Sequence, residues 1–122
     1  MLQLTQLDGT WAVCRLPADA ALPAWALDSP WISITRTADE LSIVAPVTRV
    51  PDGVRSEGPW AMLRVAGTLD FSEVGILAGL TAALADAEIS VFALSTFDTD
   101  YLLVGVDDAP RAREALTAAG YR

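Results

Sequence analysis

Apolar and polar residues alternate from the start of the chain. Leu2-Gln3-Leu4-Thr5-Gln6-Leu7 has the period of a strand with one buried face, and Asp8-Gly9 breaks it before a second strand at 11–16. Pro17 and Pro23 bracket a segment in which residues 23–27 make one or two helical turns, and Pro30 ends it. A hairpin follows, with strands at 31–36 and 41–45 joined by Ala38-Asp39-Glu40 and rich in β-branched and aromatic residues. The pattern then lapses. Pro46, Pro51, Asp52-Gly53 and Gly58-Pro59 mark an irregular stretch and a boundary between two halves.

Beyond it, residues 60–66 read as a strand. Ile76, Leu77, Leu80, Ala83, Leu84 and Ala87 then recur at helical spacing. The near-continuous apolar runs at 89–94 and 101–106 suit central strands. A last helix opens at Asp107-Asp108 with Pro110 in its first turn, turns Ala112, Ala115, Leu116 and Ala119 inward, and closes at Gly120. Strand, helix, strand, strand, helix is the ferredoxin-like order without its last strand, which residues 2–7 are expected to supply. The first half repeats that order in abbreviated form. The predicted fold is α+β: two ferredoxin-like βαββαβ-type units, 1–58 and 59–122, with antiparallel sheets and helices on one face.

Composition narrows the function classes. With 122 residues, 52% apolar content and four Trp, the chain has enough material for a core. No apolar run reaches the roughly 20 residues of a membrane span, and the N-terminus lacks a signal-peptide pattern, so a soluble cytoplasmic protein is expected. The net charge is −8, and the eight basic residues, all Arg, form no cluster, which argues against nucleic acid. There is no His, which removes the commonest general base and most transition-metal sites, and the lone Cys14 sits in an apolar run as a buried thiol. No nucleophile–base pair, zinc spacing or phosphate loop is present, so no catalytic residue, metal or cofactor is expected.

Two places have the residue types to hold a small polar ligand. The loop Asp70-Phe71-Ser72-Glu73-Val74-Gly75-Ile76 leads into the main helix, where unpaired amides favour a carboxylate; Asp70 and Glu73 also have the spacing of a capping box. Gly75 falls in the first helical turn, at a cost of about 1 kcal/mol against Ala. Either a close-packed neighbour or a ligand would account for it. The hairpin tip Ser95-Thr96-Phe97-Asp98-Thr99-Asp100-Tyr101 either caps its own backbone or holds a small polar ligand, and Asp98 and Asp100 have the chemistry for an ammonium, a guanidinium or a cation.

The segment from residue 60 to 106 resembles an ACT domain, of the kind found in small bacterial tandem-ACT proteins similar in arrangement to the animal cytosolic arginine sensor. The residues that carry the resemblance are Phe71, Glu73, Gly75-Ile76, Ile89-Ser90-Val91, Leu94-Ser95-Thr96-Phe97, Thr99-Asp100-Tyr101 and Leu103-Val104. The first half matches through residues 11–16, Asp39-Glu40-Leu41 and Pro59-Trp60. The resemblance implies a regulatory module that binds an amino acid between ACT domains, with contacts at Phe71, Glu73, Gly75, Ile76, Ser90, Val91 and Asp100. Glu73 or Asp100 would take an ammonium or basic side chain, and the helix amides a carboxylate. Asp70 stands where the sensor has a glycine, which counts against arginine itself. Because the sensor holds four ACT domains and this chain about two, a homodimer is implied, with the site shared across C-terminal halves. The expected function is thus non-enzymatic amino-acid binding. A protein–protein interaction module without a small-molecule ligand is the alternative.

Overall fold

The structure is a computed structural model that describes residues 3–66 and 75–121. Its strands are β1 (Leu4–Gln6), β2 (Trp11–Leu16), β3 (Ser33–Arg36), β4 (Leu41–Pro46), β5 (Arg55–Val65), β6 (Phe92–Ser95) and β7 (Asp100–Gly105). The helices are α1 (Ala24–Leu27), α2 (Ile76–Asp86) and α3 (Ala109–Ala118), with 3₁₀ turns at Val47–Arg49 and Val106–Asp108. The fold is α+β with antiparallel strand pairing. Two compact units emerge, Gly9–Trp60 and Met1–Asp8 with Ala61–Arg122. Strand β5 runs through the division, so its residues 55–60 belong to the first unit and 61–65 to the second.

In the Gly9–Trp60 unit the strand order is β3-β4-β2-β5. Pairing of β2 with β4 runs from Trp11↔Pro46 to Leu16↔Leu41, and Ala12, Cys14, Leu41, Ile43 and Ala45 form a core closed by Ala26 of α1. Trp25 of α1 packs on it, as do Leu16, Ile32, Val50 and Val54 from loops and strand ends. Burial raises the Cys14 thiol above its ordinary pKa, so it stays protonated and inert.

The irregular stretch expected from 46 to 59 ends earlier, at Val54. Residues from Arg55 onward pair with β2 (Arg15↔Arg55, Cys14↔Ser56, Val13↔Glu57). Pro59, which has no N–H to give a ladder, is accommodated because the register shifts between Trp11 and Val13, leaving Gly58 and Pro59 opposite Ala12. Gly58 adopts φ +143°, and a Cβ there would lie 2.9 Å from the Trp11 carbonyl oxygen. The hairpin's first strand starts at Ser33 rather than 31, because the Ser29 hydroxyl donates to the Trp31 carbonyl (2.9 Å) and accepts from its N–H (3.3 Å).

In the other unit the order is β1-β5-β7-β6, with β1 paired antiparallel to β5 (Leu4↔Val65) and β6 to β7 (Ser95↔Asp100). Leu80 and Leu84 of α2 and Ala112 and Leu116 of α3 pack on Ala61, Leu63, Val65, Leu102 and Val104. Both helices therefore cover the same sheet face. Strand β6 is not central: it ends the order and begins at Phe92, while Ile89 and Val91 ahead of it turn into the core. The Asp107-Asp108 pair makes no side-chain cap; Asp108 instead meets Arg111 Nη2 at 3.2 Å. From α3, Arg111 Nη1 also donates to the Ala87 carbonyl that ends α2 (2.9 Å).

Candidate functional site

The candidate site is built where β5 ends and β7 begins. Thr99, only 3% exposed, donates from Oγ1 to the Val65 carbonyl at 2.8 Å, fastening the hairpin tip to the end of β5. The tip is closed by its own groups. The Thr96 N–H donates to the Thr99 carbonyl at 2.8 Å, and Thr96 Oγ1 accepts from the Thr99 N–H at 3.3 Å. Self-capping therefore accounts for Thr96.

Asp100 differs. Its Oδ1 accepts from Ser95 Oγ at 2.6 Å, which fixes one carboxylate oxygen and leaves the other to point elsewhere. Ser95 and Asp100 are register partners, and two-residue alternation along β7 puts Asp100 on the same face as Leu102 and Val104, the face that α2 and α3 cover. A half-buried carboxylate thus stands on the helix side of the sheet, at the sheet end marked by Val65.

Gly75 is the N-cap of α2, with φ +82°, rather than a residue of its first turn. Nothing lies within 4 Å of the Cβ it lacks. Backbone conformation accounts for this glycine without a packed neighbour or a ligand. No side chain caps α2 among the described residues.

The sequence-predicted residues divide into three groups. Gly75, Ile76 and Asp100 belong to elements on the helix-covered face of the sheet, Asp100 at the start of β7 and the other two at the start of α2, where Ile76 directs its side chain into the core and leaves its amide as the polar group. Ser90 and Val91 sit elsewhere, before β6, at the opposite end of the β6–β7 hairpin from Asp100. Four to five residues at about 3.3 Å each put them about 13 to 17 Å from Ser95, the partner of Asp100. Phe71 and Glu73, with Asp70, lie outside the described residues. Thr99 is the position whose role in holding the site sequence reasoning missed, since its hydroxyl reads as one more polar turn group until its partner on β5 is known.

A family model described as an ACT domain matches residues 55–118, more than half of the chain. The chain belongs to the ACT domain family. A second model, for an N-terminal domain, matches residues 9–53 of this ACT protein. Over 58 residues it is 41% identical to the cytosolic arginine sensor for mTORC1 subunit 1 of Homo sapiens, a match that covers 47% of this chain and only 18% of the sensor. It is also similar to a crystal structure from Agobacterium tumefaciens, 40% identical with TM-score 0.91, covering 98% of this chain and 90% of that one. A Vibrio cholerae protein of unknown function shares the fold at 21% identity and TM-score 0.80, covering 97% and 89%.

Membership places the chain among regulatory modules. Among the described residues no helix is long and apolar enough to cross a membrane, and no group of three acidic or thiol side chains is placed to hold a metal ion.

Proposed function

We propose that this ACT protein is a non-enzymatic, cytoplasmic regulatory module that binds an amino acid or similar small zwitterion, and that it does so as a homodimer. Its architecture reads as two ferredoxin-like units divided near residue 58. One is β2-α1-β3-β4 with the first part of β5 as its outer strand. The other is the second part of β5 with α2-β6-β7-α3, and β1 as its outer strand.

The ligand reading is supported by two opposite polarities on the helix-covered side of this sheet. The N-terminus of α2, which no described side chain caps, suits an α-carboxylate, and Asp100, oriented by Ser95, suits an α-ammonium. Phe71, Gly75 and Ile76 would line the carboxylate end, and Glu73 would join Asp100 in taking the ammonium. The separation of Ser90 and Val91 from Asp100 favours a dimer, because one small ligand touches both groups only if a second copy supplies one of them.

The test is a thermal-shift panel of the twenty amino acids on the wild-type protein and on Asp100→Ala. A ligand at 100 times its Kd adds about 2.7 kcal/mol of stability. A selective shift with one amino acid, absent in Asp100→Ala at nearly unchanged apo stability, supports the reading. A shift that survives the substitution removes Asp100 from the site.

The interaction-module reading has one observation in its favour: Phe97 at the hairpin tip is 79% exposed, a large aromatic presented to solvent. A flat amino-acid panel together with loss of a protein contact on Phe97→Ala would favour it.

A further inference from the structure

The eight arginines are scattered along the sequence, but the ladder of the Gly9–Trp60 unit sets two of them side by side. Arg15 of β2 and Arg55 of β5 are direct register partners, so their Cβ atoms stand about 5 Å apart on one face of the sheet. It is the face that α1 does not cover, because Cys14 and Leu16, the neighbours of Arg15, turn into the core. The same row continues across the sheet: Arg15 is opposite Ser42, and Ser42 is opposite Thr35. Like charges directly opposite each other destabilise a ladder, and in a chain with 16 acidic residues and eight Arg an acidic partner is the ordinary choice. Among the described residues neither arginine has one. Arg55 makes no ion pair, and Arg15 turns aside to donate to the Asp39 carbonyl at 3.0 Å. Glu57, two residues beyond Arg55 on the same face, pairs with neither, and the Ser42 and Thr35 hydroxyls have no hydrogen-bond partner.

We propose that this row binds a phosphate group, either the free ion or a small phosphate monoester. A dianionic tetrahedral group takes N–H donors from both guanidiniums, each a planar fork, and removes the repulsion between them. Ser42, half-buried between Arg15 and Thr35, donates its hydroxyl to a further oxygen. Arg15 exchanges the Asp39 carbonyl for the phosphate as it binds. A carboxylate carries half the charge, and the ammonium of an amino acid meets two cations, so the row selects against the zwitterions proposed for the other unit. A polyanion is disfavoured as well, because a protein of net charge −8 repels whatever extends beyond the row.

The experiment is an amide-NMR titration of the full chain with sodium phosphate, run against sodium chloride at matched ionic strength. Saturable shifts at Arg15, Ser42 and Arg55 are expected, with a further shift at Glu40 as Arg15 leaves the Asp39 carbonyl. Affinity is expected to fall at least tenfold for acetate, and for phosphate on Arg15→Gln and on Arg55→Gln. Both side chains are exposed, so these variants keep the fold. Glycerol 3-phosphate forms a second arm: tighter binding than phosphate identifies a monoester as the ligand, and weaker binding the free ion, and either order supports the site. Shifts no larger than those with chloride, acetate binding as tightly as phosphate, or unchanged affinity in either variant would each overturn the proposal. The amino-acid reading is decided separately, at Asp100.

Discussion

The Gly9–Trp60 unit and the unit built on Ala61–Arg122 solve the same problem with different cover. Each has one apolar sheet face to bury. In the second, helices of 11 and 10 residues lie on strands carrying Leu63, Val65, Leu102 and Val104. In the first, a helix of 4 residues and several loops lie on strands whose inward residues include Ala12, Cys14 and Ala45. Helices satisfy their own backbone groups, so they can be laid on large side chains. Loops bring unsatisfied carbonyls, and a loop cover needs partners for them. Arg36 supplies these, donating to the carbonyls of Ala18 and of Ala20, the latter at 2.7 Å.

The largest test of this contrast compares two leucines. Leu84 on α2 is fully buried, while Leu27 on α1 is 53% exposed. Leu84→Ala is expected to cost about 2 to 5 kcal/mol in denaturant unfolding and Leu27→Ala less than about 0.5. Similar losses at the two positions would mean that α1 anchors its unit as firmly as α2 does.

The second test breaks the loop cover. Arg36→Ala removes both carbonyl partners from an exposed side chain, so the global cost is expected to stay below about 1 kcal/mol. The effect is local instead. Hydrogen exchange at Ala20, whose N–H donates to the Pro17 carbonyl at 3.0 Å, should quicken while Leu80 and Leu84 keep their protection. Uniform quickening would show that Arg36 holds more than the loop.

Legibility followed the same contrast. Amphipathic repeats mark α2 and α3 in the sequence because a helix covering a sheet must show its period, and alternation marks β1 for the like reason. The 46–59 stretch misled because Pro and Gly there signal a break, whereas a bulge absorbs both within β5. Position 75 misled more subtly: sequence shows that a glycine is needed but not that its φ is positive. Asp100 was legible as a polar turn residue. Its orientation by Ser95 depends on hairpin register, which two polar residues five apart do not announce. Thr99 depends on a strand 34 residues earlier, a contact that no local pattern encodes.

The smallest effect concerns how the two covering helices end. Both close with the same pair of hydrogen bonds: Ile89 N–H to the Leu84 carbonyl and Glu88 to Ala85 after α2, both 2.9 Å, and Tyr121 to Leu116 (2.9 Å) and Gly120 to Thr117 (3.0 Å) after α3. The residue at the turn must be left-handed in both. Gly120 takes φ +101° freely, whereas Glu88 is held at φ +58° with a Cβ that disfavours it. Glu88→Gly should therefore stabilise the protein and Gly120→Ala destabilise it, each by about 1 kcal/mol, although the glycine also enlarges the unfolded ensemble and trims the first gain. If Glu88→Gly lowers the unfolding midpoint, the Glu88 side chain contributes something that outweighs its backbone strain. Its position two residues before Ser90 would then make the turn after α2 part of the ligand question rather than only a helix ending.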